Sequence, residues 1–336
     1  MKKLIAVCAV LVLVQTGLVV LTNYYNPSQS QPDKGPLLKI AAAEINELIL
    51  EDAEGQSLLL KKDKEQWQLP ALDSFPADTV RVRELIERLA GLQRGWPEAT
   101  TAEAATRFKV AADRFERKLT VRKEGDAPAV LYFGSSPGLR KIYFRVDGDS
   151  EIHALALGQH DLEARADAWI DTRVLHLKPE HVLRVDLPGV QLVRQGEGLQ
   201  PADLTANEEI VKDGRDALVK RLTTLAITSV LGKESKPEYG LDAPALRYTL
   251  ELEGGGTIEY IFGQPPKTEA KEPGEQAAEP ESYVVKVSNR DQLFRVEGWQ
   301  VDAIRKANRA TLMRSKEPAP AVQSPIAPAA PTVQPQ

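Results

Sequence analysis

The stretch Glu238–Gly263, EYGLDAPALRYTLELEGGGTIEYIFG, decides the fold class. From Leu246 to Leu252 apolar residues alternate with Arg247, Thr249 and Glu251, and an apolar-rich run resumes from Ile258 to Phe262. A period of two is the signature of a strand with one buried face. Gly254-Gly255-Gly256 between the runs supplies a turn. The segment therefore reads as an antiparallel hairpin, and the rest of the chain can be measured against it.

The same order of elements occurs earlier. Arg107-Phe108-Lys109-Val110 precedes the run Phe115–Val121, which is followed by Val130-Leu131-Tyr132-Phe133-Gly134. Phe108 lies 131 residues before Tyr239, and Phe133 lies 129 before Phe262. Upstream, Leu85, Leu89 and Leu92 precede Leu218, Leu222 and Leu225 by 133, and downstream Tyr143 precedes Tyr283 by 140. A fixed order at a near-constant offset points to a duplication. The jump from 129 to 140 places an insertion within Gln264–Glu281, a Glu-, Pro- and Ala-rich stretch that reads as a solvated loop grown from a hairpin.

Each copy shares a layout. Glu44–Leu50 and Ser57–Lys62 alternate around Glu54-Gly55, and Gln66–Leu69 adds a strand. Asp78 opens a helix in which Val82, Leu85, Ile86, Leu89 and Leu92 share one face, ended by Gly95 and Pro97. Strands follow at Phe115–Val121, Val130–Phe133, Ile142–Val146 and Ile152–Ala156. The second half repeats them at Val182–Leu187, Leu246–Leu252, Ile258–Phe262, Tyr283–Val287 and Gln292–Val296. A meander cannot bury a face alone, so each amphipathic helix is expected to cover its sheet. The expected fold is α+β, with two tandem similar subdomains, each a mostly antiparallel sheet with a covering helix, after one N-terminal transmembrane helix.

That helix is read from Leu4–Leu21, which follows Lys2 and Lys3 and is diluted only by Gln15, Thr16 and Gly17. Eighteen residues at about 1.5 Å each span about 27 Å, close to the ~30 Å hydrocarbon thickness. The exit Val20-Leu21-Thr22-Asn23 has no small-residue processing site, and Cys8 lies too near the start for lipid attachment. The lysines place the N-terminus in the cytoplasm, and Tyr24 and Tyr25 suit the interface. The expectation is thus a bacterial inner-membrane, single-pass protein that contacts the membrane through residues 4–21, its bulk periplasmic. Its segments are the stub and anchor (1–25), a polar linker (26–36), the first repeat (37–176), the second repeat (177–315) and a disordered Pro/Ala-rich tail (316–336).

Composition narrows function mostly by exclusion. The net charge is −5 over 336 residues and no Lys/Arg cluster interleaves with aromatics, so nucleic-acid binding is not expected. Cys8 is the single cysteine, which forbids internal disulfides and cysteine-rich zinc sites. Gly134-Ser135-Ser136-Pro137-Gly138 has the G-x-S-x-G form of a nucleophile elbow. In it the residue after the nucleophile must donate its N–H to an oxyanion, and Pro137 has none. His153, His160, His176 and His181 show no ligand spacing, and His153 stands where the second copy has Phe294, a packing position. Gly232-Lys233-Glu234 lacks the glycine and hydroxyl of a phosphate loop. Trp67, Trp96, Trp169 and Trp299 could line a ligand groove, but core or edge packing is the commoner fate of such residues, and the charge runs Arg81–Arg88 and Arg215–Arg221 read as solvated helix faces. No catalytic, cofactor-binding or metal residue is expected, and no cofactor.

Several segments resemble a known family. Gln66-Trp67-Gln68-Leu69-Pro70, Pro76-Ala77-Asp78 opening a Leu-rich helix, and Glu238–Pro244 followed by paired strands and Phe262-Gly263 are similar to the domain of unknown function 4340. Trp169–Leu175 resembles that family's joining segment, whereas Arg107–Ala111 departs from its tyrosine-glycine-proline version. The resemblance implies one N-terminal anchor and genes set beside an ATP-binding cassette exporter and a gliding-motility-type auxiliary protein. It therefore implies a non-enzymatic envelope accessory or scaffold protein, auxiliary to an ABC-type transport system, with envelope or transporter proteins as partners. Exposed strand edges in the expected sheets offer a docking mode by strand addition. The alternative is an extracytoplasmic binding module for a lipid, glycan or peptide, for which the small-molecule ligand is unknown.

Overall fold

The computed structural model describes residues 40–93, 95–196, 198–265 and 282–316, together with 12, 14–17, 36 and 38. Most of the expected anchor, the linker, the inserted loop and the tail beyond Lys316 lie outside the described residues. Among the described residues no helix is long and apolar enough to cross a membrane. The chain forms two compact units that divide between Asp171 and Thr172. This is earlier than the boundary expected after His176, for a hydrogen-bonding reason. Asp171 donates its N–H to Pro76, whereas the Thr172 carbonyl accepts from Ile227 and Leu177 donates to Thr223.

The first unit has strands β1 (Ile45–Asp52), β2 (Ser57–Asp63), β3 (Gln66–Leu69), β4 (Phe75–Pro76), β5 (Val110–Ala111), β6 (Arg114–Phe115), β7 (Arg117–Lys123), β8 (Ala129–Phe133), β9 (Ile142–Val146) and β10 (Ile152–Leu155). Eight of them make one antiparallel sheet in the order β10-β9-β8-β7-β1-β2-β3-β4. Helix α1 (Thr79–Ala90) buries Val82, Leu85, Ile86 and Leu89. The Asp78 carboxylate caps it, accepting from the N–H groups of Val80 and Arg81. The helix stops at Gly91, before the expected Gly95, so Leu92 is not on its face. A short helix α2 (Ala102–Arg107) precedes β5.

The second unit contains β11 (Val182–Leu187), β12 (Val190–Gln195), β13 (Gly198–Pro201), β14 (Glu208–Ile210), β15 (Ile227–Gly232), β16 (Leu246–Leu252), β17 (Thr257–Gly263), β18 (Ser282–Val287), β19 (Leu293–Glu297) and β20 (Met313–Ser315). Its sheet runs β13-β12-β11-β16-β17-β18-β19-β15, again with antiparallel neighbours. Helices α3 (Lys212–Thr223), α4 (Gly298–Arg305) and α5 (Arg309–Leu312) complete it, and β14 pairs with β20. The architecture is thus α+β, of mostly antiparallel sheets with a few helices.

Register corrects one sequence correspondence. Phe133 faces Phe144, and Phe262 faces Val285, so counting from the paired phenylalanines sets Tyr143 against Val284 rather than Tyr283. The two tyrosines behave accordingly. Tyr143 stacks on Phe108 with ring centroids 4.2 Å apart, whereas Tyr283 is buried and donates to Asp302 at 2.7 Å.

Candidate functional site

The residues singled out for chemistry are not brought together. Ser135 donates its hydroxyl to the Phe108 carbonyl at 3.2 Å, and Ser136 to the carbonyls of Gly138 and Lys141 at 2.5 and 2.6 Å. Ser136 thus closes the turn between β8 and β9, and Ser135 ties that turn to the end of α2. His153 is buried in β10 against Phe144, with Glu151 3.3 Å away, in agreement with a packing position. His160 is exposed beside Asp161, and His181 ends a 3-10 turn. Among the described residues no group of three His, Cys, Asp or Glu side chains could hold a metal ion. Gly232 closes β15, and Gly254 and Gly255 take positive φ in the turn between β16 and β17.

Two expectations about surface residues need correction. Arg81 and Arg215 are not on solvated faces. The Arg81 guanidinium lies 4.6 Å over the Trp169 ring and donates to the carbonyls of Ala168 and His160 at 2.6 and 2.8 Å. The Arg215 side chain is only 13% exposed, packs against Gly198 and donates to Leu199. Burial of the long stem explains both, since guanidinium groups can cover apolar surface while keeping polar partners. The tryptophans split: Trp67 and Trp169 are buried, but Trp96 and Trp299 are 64% and 70% exposed. Charge runs and aromatics alone could not separate these cases, because period does not report what lies opposite.

The sheet edges are poor places for strand addition. Pro76 and Ala77 at β4 are covered by Ile170 and Asp171, and β10 is met by Glu98 and Ala99. Edge strand β13 ends in Pro201, which has no N–H, and β15 carries two register shifts. Proline and irregularity blunt an edge in this way.

A better site is a groove of about 350 Å3 in the first unit, between the start of β1, strands β2 and β3, and α1. Ile45, Trp67 and Ile86 line it as buried apolar residues, with Ala42 and Ala43 of a 3-10 turn beside them. The turn ends when Ile45 donates its N–H to Ala42, and a register shift between Ile45 and Glu47 follows as β1 joins the sheet. Trp67 sits opposite Lys62 in the β2–β3 ladder, and Ile86 comes from the buried face of α1. Thr79, Lys62, Glu65, Arg83 and Glu87 complete the lining. Lys62 pairs with Glu65 at 3.4 Å and Arg83 with Glu87 at 3.9 Å. The lining is thus half apolar and half polar or charged, a concave place where a ligand could meet both kinds of group. The one sequence signal was Trp67, which carried no reason to choose a groove over the core.

A family model for a domain of unknown function, number 4340, matches residues 67–244, just over half of the chain. The chain belongs to this family. The matched span starts at Trp67, inside the groove, and runs through the first sheet into the second unit as far as Pro244. No curated protein and no solved structure matches the chain.

Proposed function

We propose that this family member is a non-catalytic, membrane-anchored accessory or scaffold protein of the bacterial envelope. Residues 4–21 hold it in the inner membrane, and two copies of one ancestral unit stand in the periplasm beside an ABC-type transport system. The observation that carries the placement is the apolar stretch Leu4–Leu21 behind Lys2 and Lys3. The non-catalytic reading is supported by the serine hydroxyls of the β8–β9 turn being held on backbone carbonyls and by the dispersal of the histidines.

Duplication is supported by local details that are costly to arrive at twice. The neighbours β3-β2-β1-β7-β8-β9-β10 run in the same order as β13-β12-β11-β16-β17-β18-β19. Both sheets irregularise at the same place, between Ile45 and Glu47 and between Val182 and Arg184. A Cβ on Gly134 would meet the Phe108 carbonyl oxygen at 2.0 Å, and one on Gly263 would meet that of Tyr239 at 2.0 Å. The next residue is left-handed in each case, Lys109 at φ 58° and Gly240 at φ 66°.

Reporter fusions test the placement: alkaline phosphatase joined after Asn26 should be active, and a cytosol-only fluorescent reporter dark. The reverse pattern would end the envelope reading. Crosslinking in intact membranes should recover transporter or envelope components, and repeated failure to do so removes the accessory role. The groove favours a second reading, a binding module for a lipid, glycan or peptide. Native mass spectrometry of the full chain taken from its membranes should then show a retained ligand.

A further inference from the structure

Two exposed apolar side chains of the first unit stand at the same end of its sheet. Leu139, in the β8–β9 turn, is 94% exposed, and Trp96 is 64% exposed. Their shared position follows from register. Ile142 opens β9 directly after the turn and pairs with Leu155 of the edge strand β10. The segment after α1 lies antiparallel to β10, with Ala99 against Ile152. Followed back from Ala99 to Trp96, it therefore heads toward the Leu155 end. A third feature meets them there. Pro36 pairs with Gln93, and the three residues from Gln93 to Trp96 reach at most about 11 Å. Pro36 follows the apolar stretch Leu4–Leu21, so the chain coming from that stretch joins the unit beside Trp96.

The turn that carries Leu139 is built, not loose. The Ser136 hydroxyl lies 2.5 and 2.6 Å from the carbonyls of Gly138 and Lys141, and Gly138 donates its N–H back to that hydroxyl at 3.3 Å. Arg140 takes φ 52°, an uncommon conformation for a residue with a Cβ. Leu139, Arg140 and Lys141 are all exposed, and among the described residues neither cation meets a carboxylate. Charge at this end is one-sided. The stretches Gly91–Ala99 and Gly134–Tyr143 hold Arg94, Arg140 and Lys141 against Glu98 alone. The corresponding place in the second unit, Gln264–Glu281, has five glutamates against Lys267 and Lys271. A single exposed leucine is ordinary on a protein surface. Leucine and tryptophan together, beside unpaired cations and the entry of the chain, fit a lipid surface, where indole favours the interface and cations favour anionic headgroups.

We propose that this end of the first unit lies on an anionic phospholipid surface. Leu139 and Trp96 enter the boundary between headgroups and acyl chains, and Arg140 and Lys141 meet lipid phosphates. The proposal rests on the placement of Leu4–Leu21 in the inner membrane and adds an orientation to it. The β8–β9 turn faces the bilayer, and the β7–β8 turn, at the other end of β8, faces away.

The test uses the full chain reconstituted into vesicles, with Cys8→Ser as background and an environment-sensitive fluorophore at Leu139→Cys. One set of vesicles is phosphatidylcholine, the other contains phosphatidylglycerol as well, and both carry brominated acyl chains. In the anionic set the emission should move to the blue and be quenched, while the same fluorophore at Ala127→Cys, in the β7–β8 turn, should stay in water. Trp96 gives a label-free reading, since bromine quenches indole and Trp96→Phe should remove the lipid-dependent part of the quenching. Arg140→Glu with Lys141→Glu should lower the ratio of lipid-bound to free fluorophore by about tenfold or more, as expected for two basic residues at such a surface. Circular dichroism checks that these surface variants keep their fold. A fluorophore at position 139 that stays in water, or that enters neutral and anionic lipid equally, overturns the proposal. A photo-crosslinker at that position that captures a protein in cells, and no lipid, overturns it in favour of a docking site. Flotation separates these failures from failure of the placement. A chain that floats with neutral vesicles while position 139 stays in water keeps its anchor and loses the orientation. One that floats only with the anionic set keeps the contact and loses the anchor, and one that floats with neither loses both.

Discussion

At the centre of the first sheet Leu119 faces Leu131; at the matching register of the second, Tyr248 faces Tyr260 with ring centroids 4.6 Å apart. All four residues are buried to within 1%. The backbone pattern therefore accepts either an aliphatic or an aromatic centre, but the two have different consequences. A leucine pair contributes burial alone. A tyrosine pair adds area and stacking, and it also buries hydroxyls that resist ionisation. Burial raises the Tyr248 hydroxyl well above its ordinary range and pushes Tyr260 up to about 12. What the units share is the order and pairing of seven strands, and what separates them is the chemistry carried on those strands.

The largest expected effect tests the shared part. Gly134→Ala and Gly263→Ala each drive a methyl group into a carbonyl oxygen 2.0 Å away, which only backbone movement can relieve. Each should cost about 3 kcal/mol or more, the upper range for overpacking. In urea denaturation, the loss should fall on the transition of the altered unit. Buried Trp67 and Trp169 report the first unit and Trp299 the second. If one glycine tolerates alanine and the other does not, the two corners are not equivalent and the case for duplication weakens. Gly240 sharpens the comparison, since its Cβ would lie 2.3 Å from the Gln264 carbonyl oxygen. Gly240→Lys should therefore unfold the second unit, although Lys109 is accepted in the first.

The second effect tests the difference. Tyr260 holds its proton in the folded state to about 12, against 10 for an ordinary tyrosine. The folded state then binds more protons than the unfolded one between these values, so stability is fully present below 10 and is lost as pH rises toward 12. A shift of this size corresponds to about 2–3 kcal/mol. Alkaline titration should melt the second unit before the first. The double variant Tyr248→Leu, Tyr260→Leu, which copies Leu119 and Leu131, should remove most of that slope. Coincident alkaline melting of both units in the parent chain would show that these tyrosines do not govern it.

How far the sequence could be read follows from the same contrast. Strands that alternate cleanly were legible to within a residue or two: Gln66–Leu69, Ile142–Val146, Val182–Leu187 and Leu246–Leu252 agree at both ends. Asp78 was legible as a helix start because a carboxylate before an apolar periodic run has one clear use. Strands β12 and β13 were missed, since Val190–Gln195 and Gly198–Pro201 hold short, mixed runs whose pairing depends on β11. Helix α4 was missed because Gly298–Arg305 buries Gln300 and Asp302 beside Val301 and Ile304, so its inward face is only partly apolar. Gln300 exchanges two hydrogen bonds with the Ala226 backbone, and Asp302 accepts from Tyr283. The groove was illegible for a related reason. Ile45, Trp67 and Ile86 have the pattern of core residues, and only their neighbours decide that a space remains beside them.

A third comparison concerns the helix starts and is smaller. The N-terminus of α1 has the Asp78 carboxylate, while α3 follows Val211 with no side-chain cap. Asp78→Ala should destabilise the first unit by about 1 kcal/mol, and Val211→Asp should stabilise the second by up to about the same amount. Thermal unfolding of the two single variants checks both signs. A neutral Asp78→Ala would mean that water replaces the carboxylate at no cost.

The smallest effect lies where the two topologies part. In the first unit β4 pairs with β3, but in the second β14 leaves the sheet and pairs with β20, where the described chain ends. Charge holds this clasp. Glu208 accepts from the Thr205 hydroxyl at 2.8 Å and from Arg309 at 2.6 Å, Arg309 also pairs with Asp203, and Arg314 donates to Glu209 at 2.6 Å. The Thr205 hydrogen bonds, ahead of Arg309, hold the Glu208 carboxyl below its usual range. Its contribution is therefore present above the ordinary value of 4.5 and lost as pH falls through the lowered one. Hydrogen exchange at Met313 and Arg314 should accelerate in that acid window before either large sheet opens. Glu208→Gln should exchange faster at neutral pH and show less change on acidification. Fraying of β20 that ignored both pH and Glu208→Gln would assign the clasp to the buried Leu312 and Met313 instead, making it an apolar joint with charged trim.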